Sequence, residues 1–288
     1  MLLASAAIGV QAFFVKLASL DLDAPEIAFF RFAASYVIVR AAMSLGWVDV
    51  RIVNRSLIIA RGVLGGIGNL LYFYAIEATR LSNAIVLLYT YPVFAGFFAR
   101  WGQRASISFP VMLTLGASFL GVYLIVSPSF DTVLAGDLVG LLSGLTVAGA
   151  IVSLKASRET DSAWTIFHYF NVAGMALSLP LAVARWTTPS VQTLPALAGV
   201  LIFSMLGQLG MTYAYRYTTT AEGGVLSMFG AVVGSGLGIG LLGEPATPHF
   251  LIGASIVAGS GIYLTVKGSE ERDPSRRPAS GNNNGGGN

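Results

Sequence analysis

The chain has 288 residues, 55% hydrophobic and only 11% charged, with a mean hydropathy of +0.71; soluble domains carry roughly 25% charged residues, so a pair of ordinary soluble domains is excluded. Lys and Arg total 17 against 14 Asp and Glu, but the cations are dispersed through short loops and one tail and form no patch for nucleic acid. With no cysteine and only two histidines, His168 and His249, disulfides and thiolate metal sites are excluded, and neither a metal centre nor another cofactor is expected.

Apolar runs of about 20 residues, enough to cross a bilayer as a helix, recur nearly end to end. Breaker clusters divide them into ten predicted transmembrane helices, which makes the chain an all-α integral membrane protein embedded in a lipid bilayer. The first, 2–18, starts at Met1-Leu2-Leu3 without the basic start or small-residue cleavage site of a secretory signal. It reads as a spanning helix shortened at its start. It carries Gln11 at depth, and Lys16 near its outer end, where snorkelling to the interface accounts for a lysine. The second, 25–45, holds Arg31 about six residues in, roughly 9 Å deep at the α-helical rise. Two readings of Arg31 stay open: a salt bridge with Glu77 or Glu26, or a cation facing a cavity and holding a carboxylate.

The third span, 57–78, places Asn69, Tyr72 and Ile76 on one face. The fourth, 81–101, contains "LLYTYPVFAGFF", with Pro92 in mid-run after Tyr89 and Tyr91. Proline removes a backbone donor and clashes with the preceding turn, so a kink serving as a hinge is expected there. The fifth and sixth spans are 108–127 and 136–157. In the seventh, 163–184, His168, Asn171, Met175 and Ser178 fall on one stripe; His168 is either a passive core residue or a proton-coupling group. In the eighth, 195–217, Ser204, Gln208, Thr212 and Tyr215 fall near one stripe with Met211 beside them. The ninth, 221–242, carries Gly230, Gly234, Gly236, Gly238 and Gly240. These glycines either soften the helix opposite Pro92, whose counterpart is Val232, or permit close helix packing. "GSGLGIG" is not a dinucleotide fingerprint, because no strand precedes it. The tenth span is 248–267. From Gly268 the polar "GSEERDPSRRPASGNNNGGGN" is a disordered cytoplasmic tail, its end resembling an appended tag.

Polar stripes are not tolerated against lipid, so they face protein or water. Either interhelical hydrogen bonds or one shared polar cavity satisfies them. The cavity candidates are Gln11, Arg31, Asn69, Tyr72, Tyr89, Tyr91, His168, Asn171, Ser204, Gln208 and Tyr215. The hinge candidates are Pro92, Gly230 and Gly234. Trp47, Trp101, Trp164 and Trp186 at helix ends suit an interfacial belt.

Basic residues near helix ends are unevenly shared. One side collects Arg40, Arg51, Arg55, Arg61, Arg100, Arg104, Lys155, Arg158, Arg216, Lys267, Arg272, Arg276 and Arg277; the other has Arg80 and Arg185, with Lys16 and Arg31 inside spans nearer to it. The positive-inside rule then puts both termini in the cytoplasm of a bacterial-type inner membrane. The halves also resemble each other. "GVYLIV" at 121–126 and "GIYLTV" at 261–266 lie 140 residues apart, as do Thr79 and Thr219, Val93 and Val233, and Gly96 and Gly236, while Lys16 and Lys155 are 139 apart. Five helices per half is an odd number, so the second half is expected upside down relative to the first, an architecture that transporters use around a midplane site.

"ARGVLGGIGNLLYFYAIEATRLSNAIVLLYTYPVFAGFFA" with "GASFLGVYLIVSP" resembles the first repeat of EamA-type transporters of the drug/metabolite transporter superfamily. "GQLGMTYAYRYTTTAEGGVLSMFGAVVGSGLGIGLLGEPATPHFLIGASIVAGSGIYL" resembles the second, and "AFFRFAAS" the start of that family's second helix. The resemblance runs to about residue 267. It implies ten helices in two inverted halves, 1–127 and 136–267, a tail at 268–288, a central cavity and alternating access. By the same resemblance helices 5 and 10 are scaffolding, while helices 3, 4, 8 and 9 rock. Members carry amino acids, other metabolites or drugs, often outward. One departure is "WGQRAS", where Gln103 and Arg104 stand in place of an acidic residue after glycine; the second half keeps "LGEP" with Glu244.

The expectation is therefore a secondary carrier for a small polar metabolite, an amino acid, with a monomer sufficing. No nucleotide-binding motif is present, so a solute, proton or potential gradient drives it. An intramembrane enzyme is not expected, since no HExxH and no intramembrane aspartate pair occurs. Carriers of another metabolite or drug are the alternative within the class; a channel or a non-transporting receptor is the alternative outside it.

Overall fold

A computed structural model describes residues 1–79, 81–102, 109–126, 135–243 and 248–272. Arg80, Gln103, Arg104, Glu244 and the tail from 273 onward, including Arg276 and Arg277, lie outside the described residues. Those described form an all-α bundle in which the elements are α1 Leu2–Ala18, α2 Ala24–Ser44, α3 Arg55–Ala78, α4 Leu81–Leu88, α5 Tyr91–Gly102, α6 Phe109–Val126, α7 Ala135–Ser157, α8 Ala163–Ala184, α9 Leu194–Ala214, α10 Thr220–Ser227, α11 Phe229–Leu242 and α12 Pro248–Arg272.

Local chemistry sets the helix starts. Asp23 precedes α2, and its backbone N–H donates to Glu26 Oε2 at 3.1 Å, half of a capping box. Asn54 Oδ1 accepts from Leu57 N at 3.3 Å before α3, and Ser162 Oγ from Thr165 N at 3.0 Å before α8. Thr219 and Glu222 form a full capping box before α10, at 2.8 and 3.2 Å. Two ends need positive φ, which glycine supplies at Gly46 (φ 72°) and Gly243 (φ 68°).

Two of the ten spans read from the sequence are each a pair of helices. The fourth is interrupted at Tyr89–Thr90, ahead of the proline, where Thr90 N bonds Leu87 O at 3.3 Å and Val93 N bonds Thr90 O at 3.1 Å. Pro92 is the second residue of α5 and not a mid-helix kink. Its missing N–H falls among the four that a helix start leaves unsatisfied anyway. The ninth span is interrupted at Met228, whose dihedrals stay right-handed helical (φ −62°, ψ −16°). That break precedes Gly230 and Gly234, which lie in α11. The last helix continues to Arg272, past the predicted end at 267; the sequence stops it at Asp273, the residue before Pro274.

The helix starts repeat at a constant interval. Residues 24 and 163, 55 and 194, 81 and 220, and 109 and 248 are each 139 apart. On that interval Pro92 corresponds to Ala231, one residue from the Val232 expected. The packing follows the same pairing: α3 lies on α7 as α9 lies on α1, α5 on α7 as α11 on α1, and α3 on α8 as α9 on α2. At one end of the molecule Asp21 accepts from Ser190 N at 3.1 Å and Glu26 from Thr187 N, tying the α1–α2 loop and the start of α2 to the α8–α9 loop. At the other end Asp161, in the α7–α8 loop, accepts from Val53 N at 2.7 Å and Asn54 N at 3.2 Å.

Polarity is distributed as a bilayer demands. Arg31, Ser35, Asn171 and Ser204 are buried with at most 1% exposure, while Leu3, Ile59, Val37, Leu113, Ile202 and Leu251 are exposed. Apolar surface outside and polar groups inside suit lipid as the solvent. The segments Ala24–Ser44, Arg55–Ala78, Ala135–Ser157, Ala163–Ala184, Leu194–Ala214 and Thr220–Leu241 are long and apolar enough to cross a membrane.

Candidate functional site

The centre of the bundle is a narrow cavity of about 60 Å³. Of the residues singled out in the sequence, Gln11 (α1), Asn69 and Tyr72 (α3), Tyr89, Tyr91 (α5) and Gln208 (α9) line it. Arg61, Gly65, Val147, Ile151, Phe170, Met211 and Ser227 complete most of the wall. Ligand pockets start near about 300 Å³, so this conformation must widen to admit a metabolite. Arg31, Ser204, Asn171, His168 and Tyr215 are not on the wall.

Arg31 stands one layer behind it. Its Nη1 donates to Asn69 Oδ1 at 3.0 Å and its Nε to Ser204 Oγ. Its guanidinium carbon lies over the Phe32 ring at 4.3 Å and the Phe170 ring at 5.1 Å. Neither expected carboxylate reaches it. Glu26 is taken by the N–H groups of Asp23 and Thr187, and Glu77 accepts from Ala24 N at 2.8 Å. Both acids serve helix starts, where free N–H groups concentrate.

A second arginine was missed. The sequence reading counts Arg61 among loop cations, yet it is 4% exposed and on the cavity wall. Its Nη2 donates to Gln208 Oε1 at 3.1 Å, and its guanidinium carbon lies over Phe170 at 4.3 Å. A signal was present. The third span was begun at 57; the helix starts at Arg55, which puts Arg61 six residues in, the same depth that made Arg31 a candidate. Gly65, one turn on, leaves it room: a Cβ there would meet Arg61 Nη1 and come within 2.9 Å of Phe170 Cε2.

The two guanidiniums share one ring. Their separation is at most the sum of 4.3 and 5.1 Å, so their repulsion is about 2 kcal/mol or more at an effective dielectric near 20. No carboxylate pairs with either among the described residues, and Arg31 Nη2 and Arg61 Nε have no partner. Each cation is instead held by an amide. Asn69 and Gln208, the two acceptors, are themselves 139 residues apart.

The remaining candidates are placed as follows. Tyr91 Oη and Ser227 Oγ share a hydrogen bond across the α5–α10 contact. Asn171 Nδ2 donates to Phe167 O at 2.7 Å within its own helix, and its Oδ1 has no partner. His168 stacks on Tyr36 with ring centroids 5.4 Å apart. Tyr215 is fully buried, and Gly223 lies against its ring. Gly230 and Gly234 meet α1: a Cβ on Gly9 would come within 2.9 Å of Gly234 N. Lys16 does not snorkel to the interface. Its Nζ donates to Ile76 O at 3.0 Å, as Lys155 Nζ does to Tyr215 O at 3.0 Å, both near the last turn of a helix, where cations are favoured.

The family model for EamA-like transporters matches the chain twice, over residues 1–127 and 134–266. The chain belongs to the EamA-like transporter family. The transporter is 29% identical over 238 residues to the pseudopaline exporter CntI of Pseudomonas aeruginosa, covering 82% of this chain and 84% of that protein. It is 27% identical over 206 residues to human solute carrier family 35 member G1, covering 65% and 56%. It is 24% identical over 204 residues to an S-adenosylmethionine uptake transporter of Rickettsia conorii, covering 67% and 69%. A solved crystal structure superposes with a TM-score of 0.76 at 13% identity, covering 94% of the transporter and 98% of that chain, which shows the fold. The transporter is thus a membrane-embedded, multi-pass secondary carrier of a small molecule and not an enzyme.

Proposed function

We propose that the transporter exports a small polar metabolite bearing a carboxylate, an amino acid, through the cavity between its halves by alternating access. One observation carries the reading: two buried guanidiniums with no acidic partner converge on a cavity lined by amides and tyrosine hydroxyls. Guanidinium is the side chain best matched to carboxylate. Alternating access is supported by the interval of 139 between helix starts and by α2 and α8, whose opposite ends are joined at opposite ends of the molecule. On that basis the ten crossings form two inverted halves, with α4–α5 and α10–α11 as the interrupted crossings that move. The excess of arginine and lysine on the Arg51 and Arg158 side supports termini in the cytoplasm. Outward direction is supported by similarity to an exporter. The test is counterflow in liposomes loaded with amino acids. Uptake of labelled substrate that depends on Arg61 is the expected outcome; no exchange of any amino acid would overturn the reading.

A further inference from the structure

We propose that the cargo is an organic acid of net negative charge, a diacid or an acidic amino acid, and not a neutral zwitterion. The inference rests on the carrier reading above and narrows it.

A zwitterion needs an acceptor for its ammonium as well as donors for its carboxylate. The cavity is short of acceptors. No Asp or Glu is among its described lining residues. The two amides are committed in the same sense. Guanidinium only donates, so Asn69 must turn its Oδ1 to Arg31 and Gln208 its Oε1 to Arg61. Their N–H₂ groups are left for the cavity, where they too are donors. Arg61 Nε and Arg31 Nη2 are buried donors without a partner. Two fixed positive charges sit against one ring, so a neutral cargo leaves both uncompensated, whereas an anion of charge −1 or −2 balances them. The molecule therefore supplies donors and positive charge and expects its guest to bring the acceptors and the negative charge.

The test uses the full chain, purified and reconstituted, with glutamate, succinate, glutamine and putrescine as probes, read by thermal shift and by counterflow. Glutamate and glutamine differ in shape very little and in net charge by one. The expected result is glutamate bound about tenfold or more tighter than glutamine, as one gained charge-assisted hydrogen bond implies, with succinate also bound. Arg61→Gln should bring the ratio close to one, and Arg61→Lys should keep part of it. Gln208→Glu, which neutralises Arg61 while leaving it in place, should lower the ratio too and serves if Arg61→Gln fails to fold. Glutamine or putrescine bound as well as glutamate overturns the inference while exchange of those compounds leaves the carrier reading standing. Binding and exchange of none of the four overturns both.

Discussion

Arg61 owes its position to a missing methyl group. Gly65 is the residue one turn along α3 whose Cβ would collide with the guanidinium and with Phe170. Gly65→Ala gains about 1 kcal/mol of helix propensity and loses about 1–3 kcal/mol to overpacking. Thermal stability should therefore fall by no more than about 2 kcal/mol, while exchange should drop about tenfold or more because the cation is displaced. Stability measured in detergent and counterflow in liposomes separate the two effects. At this scale the sequence revealed the polar wall well. Gln11, Asn69, Tyr72, Tyr89, Tyr91 and Gln208 stood out as polar or aromatic residues in apolar runs. It did not reveal Arg61, because an arginine near a span end has an ordinary explanation as a loop cation. It also could not show that Arg31 lies behind Asn69, since depth along a helix says nothing of what stands in front.

Among helices, the contact of α1 with α11 is backbone on backbone. A Cβ on Gly230 would come within 2.6 Å of Ser5 O and meet Tyr89 Oη, whereas one on Gly234 would find Gly9 O at 3.4 Å, an ordinary contact. Gly230→Ala should cost about 1–3 kcal/mol; Gly234→Ala should be neutral or stabilising by up to about 1 kcal/mol. If Gly234→Ala halts exchange without loss of stability, bending at that residue is required for transport. The loops give a pH dependence. Asp21 accepts from Thr193 Oγ1 at 2.5 Å and from Ser190 N, bonds that hold its carboxyl below the usual carboxylate range. A lowered folded pKa stabilises above the unfolded value and loses that contribution as pH falls through the folded one. Asp21→Asn should thus lower the melting temperature at neutral pH, and the gap from the parent should close below about pH 4. Periodicity and caps made most elements legible. The two interruptions were not, because a run such as "LLYTYPVFAGFF" is apolar throughout, and a proline is equally compatible with a kink inside one helix and with the opening turn of a second.

For the molecule as a whole, the pairing of loops predicts sidedness. Leu20 and Val191 are exposed at the end where Asp21 meets Ser190; Val53 and Glu159 are exposed at the end where Asp161 meets Val53. Single cysteines at Leu20 and Val191 should react with an impermeant thiol reagent from one face of the membrane, and those at Val53 and Glu159 only from the other. Labelling of Leu20 and Val53 from the same side would rule out the proposed inversion. The cysteine-free chain makes this measurement clean.

Phe170 stands 139 residues after Arg31, and the two touch. At the seam the halves share, one contributes a cation and the other a ring. On the proposed inversion, exchanging the halves' roles cannot map such a molecule onto itself. The forms open to either compartment then hold Arg31 in unlike surroundings and differ in energy. Half-saturation measured from the two compartments should be unequal even without an applied gradient, while the ratio of maximal rate to KM stays the same both ways, as detailed balance requires.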